Sequence, residues 1–172
     1  MTTKQFQQII LPLKNKLFRF ALSYMGNEAD ALDVVQEVMM KAWEKIDDPE
    51  SFGSPEAWCM TLTKNRSLDL LKKKGRNHLP LTDQYDLQAG SATPLEATES
   101  KESINNIQEI ISHLPELQRT VIQLRDVEGY SYKEIADIMD VGMSHVKVLL
   151  HRARKQVQRR FRRVNQHGIS YS

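Results

Sequence analysis

The chain has 172 residues, 40% of them hydrophobic and 27% charged, with a formal net charge of +2. These values suit a soluble globular protein of one domain or two small ones. No apolar run is long enough to span a bilayer and no charged-then-apolar leader is present. The single Cys59 can neither close an internal disulfide nor find a metal-ligand partner at a useful spacing, so the expected location is the cytoplasm and Cys59 reads as a small buried thiol.

Residues 1–77 carry a helical pattern. In "NEADALDVVQEVMMKAWEKI", residues 27–46, Asn27 can cap a helix with Asp30 in its first turn. Leu32, Val35, Met39, Ala42 and Ile46 form an apolar stripe, and Asp33, Gln36, Glu37, Met40 and Glu44 lie on another face. That face is acidic with an apolar side chain in its middle. Acids repel phosphate, so it should look at solvent or at a basic protein surface. The loop "DDPESFGS" then places Phe52 beside a glycine, where an aromatic ring could stack on an unpaired base.

A second helix is expected over "SPEAWCMTLTKNRSLDLLKKKGR", residues 54–76, with Ser54 and Glu56 at its start and Pro55 in its first position. Trp58, Leu62, Leu68 and Leu71 are its core candidates. Lys64, Asn65, Arg66, Lys72, Lys73, Lys74 and Arg76 make the rest basic and amide-bearing. Asparagine can hydrogen-bond a base edge, and lysine or arginine can hold phosphate. An acidic helix beside a basic one implies two different partners.

From His78 to about Ser100 periodicity is lost and Pro, Gly, Ser, Thr and Asp accumulate, as in a linker. Helical order returns at Ile104, with Ile107, Ile110, Ile111 and Leu114 on one face. Pro115 opens a further helix with Leu117, Val121 and Leu124 as its stripe, ending near Gly129. Ser131 and Glu134 have the spacing of a capping box. Ile135, Ala136, Ile138 and Met139 give the next helix one buried side, and Asp140, Val141 and Gly142 break it. Ser144 can cap a last helix whose Val146, Leu149 and Leu150 turn inward. Short helices with a tight turn between the last two make a helix-turn-helix. After Asp140 there is no acidic residue, whereas Lys147, Arg152, Arg154, Lys155, Arg159, Arg160, Arg162 and Arg163 all follow. Positive charge so concentrated suits a phosphate backbone.

In this combination the chain resembles the extracytoplasmic-function group of the sigma-70 family of bacterial RNA polymerase sigma factors. The resemblance covers nearly the whole chain. "DALDVVQEVMMKAW" is similar to the polymerase-binding helix of sigma region two, and "AWCMTLTKNRSLDLLKKKGR" to the helix that reads the minus-ten element. "LPELQRTVIQLRDVEGYSYKEIADIMDVGMSHVKVLLHRARKQV" is similar to sigma region four, which reads the minus-thirty-five element.

The resemblance implies an all-α fold of two small helical domains on a flexible linker. Region two would occupy residues 1–77, the linker 78–103, the region-four helix-turn-helix 104–165 and a tail 166–172. It assigns Asp33, Gln36, Glu37 and Met40 to the core polymerase. The Asp47–Ser54 loop, with Phe52, would capture a flipped-out base. Asn65, Arg66, Lys72, Lys73, Lys74 and Arg76 would meet minus-ten DNA. Tyr132, Lys133, Ser144, His145, Lys147, Val148, His151, Arg152, Arg154 and Lys155 would meet minus-thirty-five DNA. The implied partners are core RNA polymerase, promoter DNA and an anti-sigma protein, with no cofactor, metal, small-molecule substrate or membrane insertion.

Departures from the family pattern fall in the helix-turn-helix. Asp140 stands where a glycine is usual, Gly142 where a serine often stands, and His145 replaces a common threonine. Val148 and Leu149 replace a common polar–arginine pair, leaving fewer polar groups to read bases. No Gly-rich phosphate loop, nucleophile elbow or clustered metal site is present, so no covalent chemistry is expected. A response-regulator-type activator would need a strand–helix receiver in front, which the pattern lacks. A purely protein-binding helical module would not need the basic helix at Lys64–Arg76.

Overall fold

The computed structural model describes residues 1–75 and 99–168, with side chains of the second span described over 106–166, and all regular structure among these residues is helical. The chain enters through α1 (Thr3–Gln5), a π-helical turn (Phe6–Ile10) and a 3₁₀ turn (Leu11–Leu13). Pro12 explains the irregularity. It has no N–H and its ring collides with the carbonyl four residues back, so the α-helical pattern cannot pass through it. From there α2 (Lys14–Met25) runs to Gly26, whose φ of 72° supplies a left-handed cap.

The long helix α3 (Glu28–Lys45) starts as expected, with the Asn27 side chain accepting from the Asp30 N–H at 2.9 Å. Its buried stripe lies to one side of the expected one. Ala31, Val34, Val35, Val38 and Ala42 are buried, whereas Leu32 is 49% exposed and Met39 only half-buried. The five buried residues fall within a narrow arc of the helix, and their small side chains let α2 and α4 approach closely. On α4 (Pro55–Lys73), Ser54 accepts from the Ala57 N–H at 3.1 Å. Cys59, Met60, Thr63, Ser67 and Leu71 form the buried line there, while Trp58, Leu62 and Leu68 are partly buried. Thr63 can sit inside because its hydroxyl donates to the Cys59 carbonyl at 2.8 Å. Burial pushes the Cys59 thiol pKa up to about 12, which makes it inert.

Behind these comes α5 (Glu99–Ser112), which begins before Ile104, so residues 99–103 expected in the linker are already helical. The rest of that linker, 78–98, lies outside the described residues, as do the side chain of Ile104 and tail residues 169–172. A short α6 (Glu116–Ile122) passes into a π-helical turn (Gln123–Val127); Val121 and Leu124 are fully buried but Leu117 is exposed. The helix-turn-helix is α7 (Tyr132–Met139) and α8 (Met143–Gly168). Ser131 and Glu134 form the expected capping box. Ser144 is not a cap, because α8 already begins at Met143 and continues past residue 165. Asp140 ends α7 with φ 54°, a left-handed position that Asp tolerates better than most non-glycine residues.

The front and back units touch. α4 packs on α7 and α2 on α6, and buried side chains of both units form one continuous apolar cluster. Polar bonds cross the same seam. Arg19 grips Glu128 through two bonds of 3.0 Å, and the buried Tyr24 hydroxyl meets that of Thr120. Because the Thr120 hydroxyl donates to the Glu116 carbonyl at 2.9 Å, Tyr24 is the donor between the two.

Candidate protein and nucleic-acid interfaces

The outward face of α3 carries Asp33, Gln36 and Met40 in the open, Met40 being 58% exposed. Glu37 is half-buried and held from two sides: the Arg66 guanidinium donates to one oxygen, and Lys41 lies 3.7 Å from the other. Beside Met40, a groove of about 330 Å³ is lined by Phe6, Gln36, Met39, Met40, Trp43 and Glu44. The Phe6 and Trp43 rings meet edge-on at 5.5 Å, yet Trp43 is 46% exposed. An exposed tryptophan in an apolar groove with an acidic rim has the composition of a protein-docking patch. Phe6 and Trp43 were not among the expected site residues. Trp43 could have been found from its place three residues after Met40; Phe6 could not, since only the entry turns bring it to α3.

In the loop before α4, Phe52 keeps an exposed face while its ring meets Trp58 edge-on at 5.9 Å, which fixes its orientation. Gly53, at φ 91°, makes the turn that a side chain would strain. On α4 the expected DNA residues divide. Asn65, Lys72 and Lys73 are exposed. Arg66 is engaged with Glu37, and Lys74 lies 2.6 Å from both oxygens of Asp30. Arg76 lies outside the described residues. Lys64, half-buried, donates to the Ile138 carbonyl at the end of α7 at 2.8 Å. Burial lowers its pKa, and the charges of Asp140 and Glu116 resist that shift.

The exposed face of α8 presents Ser144, His145, Val148, His151, Arg152 and Lys155 together. Leu149 is buried, so its departure from the family pattern concerns packing and not base reading. Arg154 points away from that face and is bound by Asp126 through bonds of 3.0 and 2.6 Å, which raise its pKa. Lys133 is exposed on α7. Tyr132 has two cations near its ring, Arg125 at 4.8 Å and Lys147 at 5.8 Å from the centroid.

Where α2, α4 and the segment before α7 converge, sequence reasoning had no signal. Glu56 accepts from Lys16 at 2.6 Å and from the Tyr130 hydroxyl, and Lys16 also sits 5.1 Å over the Tyr130 ring. Burial pushes the Glu56 carboxyl up, but its bonds to Lys16 and Tyr130 and the Lys16 charge outweigh burial and hold it below the usual range. Burial, and then the bond to Glu56, push the Tyr130 phenol well up. Among the described residues no group of three or more His, Cys, Asp or Glu could hold a metal ion, and no helix is long and apolar enough to cross a membrane.

Residues 9–77 match the family model for Sigma-70 region 2, and residues 104–157 match that for Sigma-70, region 4. Over 166 residues the chain is 28% identical to the ECF RNA polymerase sigma factor SigW of Bacillus subtilis, covering 91% of this chain and 89% of the relative. The chain belongs to the extracytoplasmic-function group of the sigma-70 family. This sigma factor is also 28% identical over 164 residues to the ECF RNA polymerase sigma-E factor of Haemophilus influenzae, covering 90% and 86% of the two chains. Among solved structures it is similar to the sigma factor RpoE of Bartonella quintana, determined in complex with the anti-sigma factor NepR. The TM-score is 0.72 at 26% identity, with 93% of this chain and 98% of that one covered.

Proposed function

We propose that this sigma factor binds core RNA polymerase through the α3 face of Asp33, Gln36, Glu37 and Met40, extended by Trp43 and Phe6. Promoter DNA is then read at two places. Phe52 and its loop take an unstacked base of the minus-ten element, with Asn65, Lys72 and Lys73 on the neighbouring strand. The exposed face of α8 enters the major groove at the minus-thirty-five element. Unstacking a base costs a few kcal/mol, which pocket contacts must offset. The protein does no covalent chemistry and acts in the cytoplasm, where the polymerase is. An anti-sigma protein is its expected regulator, a reading supported by the anti-sigma factor NepR bound to the Bartonella relative.

The observation that carries this reading is the acidic, Met- and Trp-bearing face on α3 in the same chain as two basic DNA-type surfaces. Run-off transcription tests it, with purified protein, bacterial core polymerase and a pool of genomic promoter fragments. Discrete transcripts that require the protein are expected. DNA binding that persists without core polymerase, with no transcripts, would favour an ordinary activator or repressor. Glu37→Lys should weaken core affinity at least about tenfold, or 1.4 kcal/mol. Asp33→Lys, at an exposed position outside the Arg66 pair, should weaken it without disturbing α4. Unchanged core affinity in both variants, with unchanged circular dichroism, would remove the α3 assignment.

A further inference from the structure

The match to region four ends at residue 157, but α8 runs on to Gly168. The extension "QRRFRRVNQHG" stays helical and basic. At about 100° per residue, Ser144, Val148, His151, Arg152, Lys155, Arg159 and Arg162 all fall within roughly a third of the helix circumference. Every one of them is exposed. The opposite side carries Val146, Leu149, Leu150 and Ala153 buried, followed by half-buried Val157 and Phe161, and α5 packs against this helix. The extension therefore keeps the orientation of the helix-turn-helix, and the reading face continues beyond it without a change of side.

Charge and reach fit one occupant. Arg152, Lys155, Arg159 and Arg162 make no ion pair or hydrogen bond among the described residues, in contrast to Arg154. No acidic residue lies on α8 itself. From Ser144 to Arg162 the helix rises about 27 Å, more than twice the roughly 12 Å width of the major groove. With its first turns in the groove, its later turns extend past the base edges and can reach the phosphate backbone. Resting on the reading of α8 as the minus-thirty-five helix, we infer that Arg159 and Arg162 extend its DNA surface past the family domain. They hold backbone phosphates flanking the element and add affinity without base preference. Such anchors suit a helix whose reading end carries Val148 where a polar group is common.

The test uses holoenzyme reconstituted from the full chain and core polymerase, on a promoter fragment identified by run-off transcription. Binding is measured from 50 to 200 mM salt, to the intact fragment and to one with a scrambled minus-thirty-five element. Arg159→Gln/Arg162→Gln keeps helix formers at both sites and should lower the slope of log K against log salt by about two units. It should weaken binding to both fragments by the same factor. A wild-type slope for the double variant, with Arg152→Ala lowering it, would overturn the inference while leaving α8 as the reading helix. A wild-type slope for Arg152→Ala as well, with no effect of scrambling, would overturn both. A double variant with a wild-type slope but reduced affinity for core polymerase in the absence of DNA would place the extension on the polymerase instead, and would also overturn it.

Discussion

The two basic helices of this sigma factor are in opposite states. On α4, Lys64 is bound to the end of α7, Arg66 to Glu37 and Lys74 to Asp30. On α8, only Arg154 of the expected DNA contacts is tied down by an acid, and Arg152, Lys155, Arg159 and Arg162 make no ion pair among the described residues. As the proposed minus-ten helix, α4 offers exposed Lys72 and Lys73 but must exchange internal bonds at Lys64, Arg66 and Lys74, whereas α8, the proposed minus-thirty-five helix, has its surface ready. A phosphate gained by Arg66 or Lys74 therefore yields only the difference between two ionic contacts, while one gained by Arg152 or Lys155 yields a whole contact. On this reading, α8 would contribute the stronger salt dependence and α4 would depend on polymerase to hold it in place.

The contrast can be broken at the seam, and the largest effect is expected from its apolar part. Ile135 is fully buried on α7, which packs between α4 and α8. Ile135→Ala should cost about 2–5 kcal/mol and lower the melting temperature accordingly. A melt like wild type would mean that α7 is not clamped there.

A smaller effect is expected at Glu56. Its depressed carboxyl contributes stability that is present above its unfolded pKa and lost as pH falls through the lower folded value. The seam should therefore loosen in acid below the ordinary carboxylate value of 4.5. Glu56→Gln should cost about 1 kcal/mol at neutral pH, since the group is partly exposed and screened, and should remove that acid dependence. Stability curves from pH 7 to pH 3 check this. An identical slope in the variant would show that Glu56 is not the titrating group.

The smallest effect sharpens the comparison. Lys64→Ala leaves α4 folded and takes a single donor from the Ile138 carbonyl, a loss of about 0.5–1 kcal/mol. Distances between spin labels on α4 and α7 should shift toward the separated population by a few-fold. No shift would mean that the lysine follows the closed arrangement without helping to hold it.

The helix-turn-helix was the most legible part of the sequence. Its capping box, buried positions and break at Asp140 all rest on short-range spacing, and all are found. The α3 stripe was less so, because two overlapping sets of apolar residues fit a helical period. Tertiary contact with α2 and α4 chose the smaller side chains and left Leu32 outside. Thr63 and Ser67 were not among the core candidates of α4, yet they line the core, where small residues let the helices cross closely. Nothing local announces that Tyr24 will meet Thr120 or Glu56 will meet Tyr130, since each pair is brought together only by the packing of one unit on the other. Sequence could name Arg66 and Lys74 as basic, but it could not show that acids within the same chain already hold them.

One continuous apolar cluster runs through both units, and this gives the closed arrangement a thermal character. Parting the units wets apolar surface, so opening carries a positive heat-capacity change. The apolar share of the seam weakens on cooling, while its ion pairs and hydrogen bonds do not follow the same course. The balance between closed and parted units should then bend with temperature instead of following a straight van't Hoff line. The curvature would measure how much of the seam is oil and how much is salt.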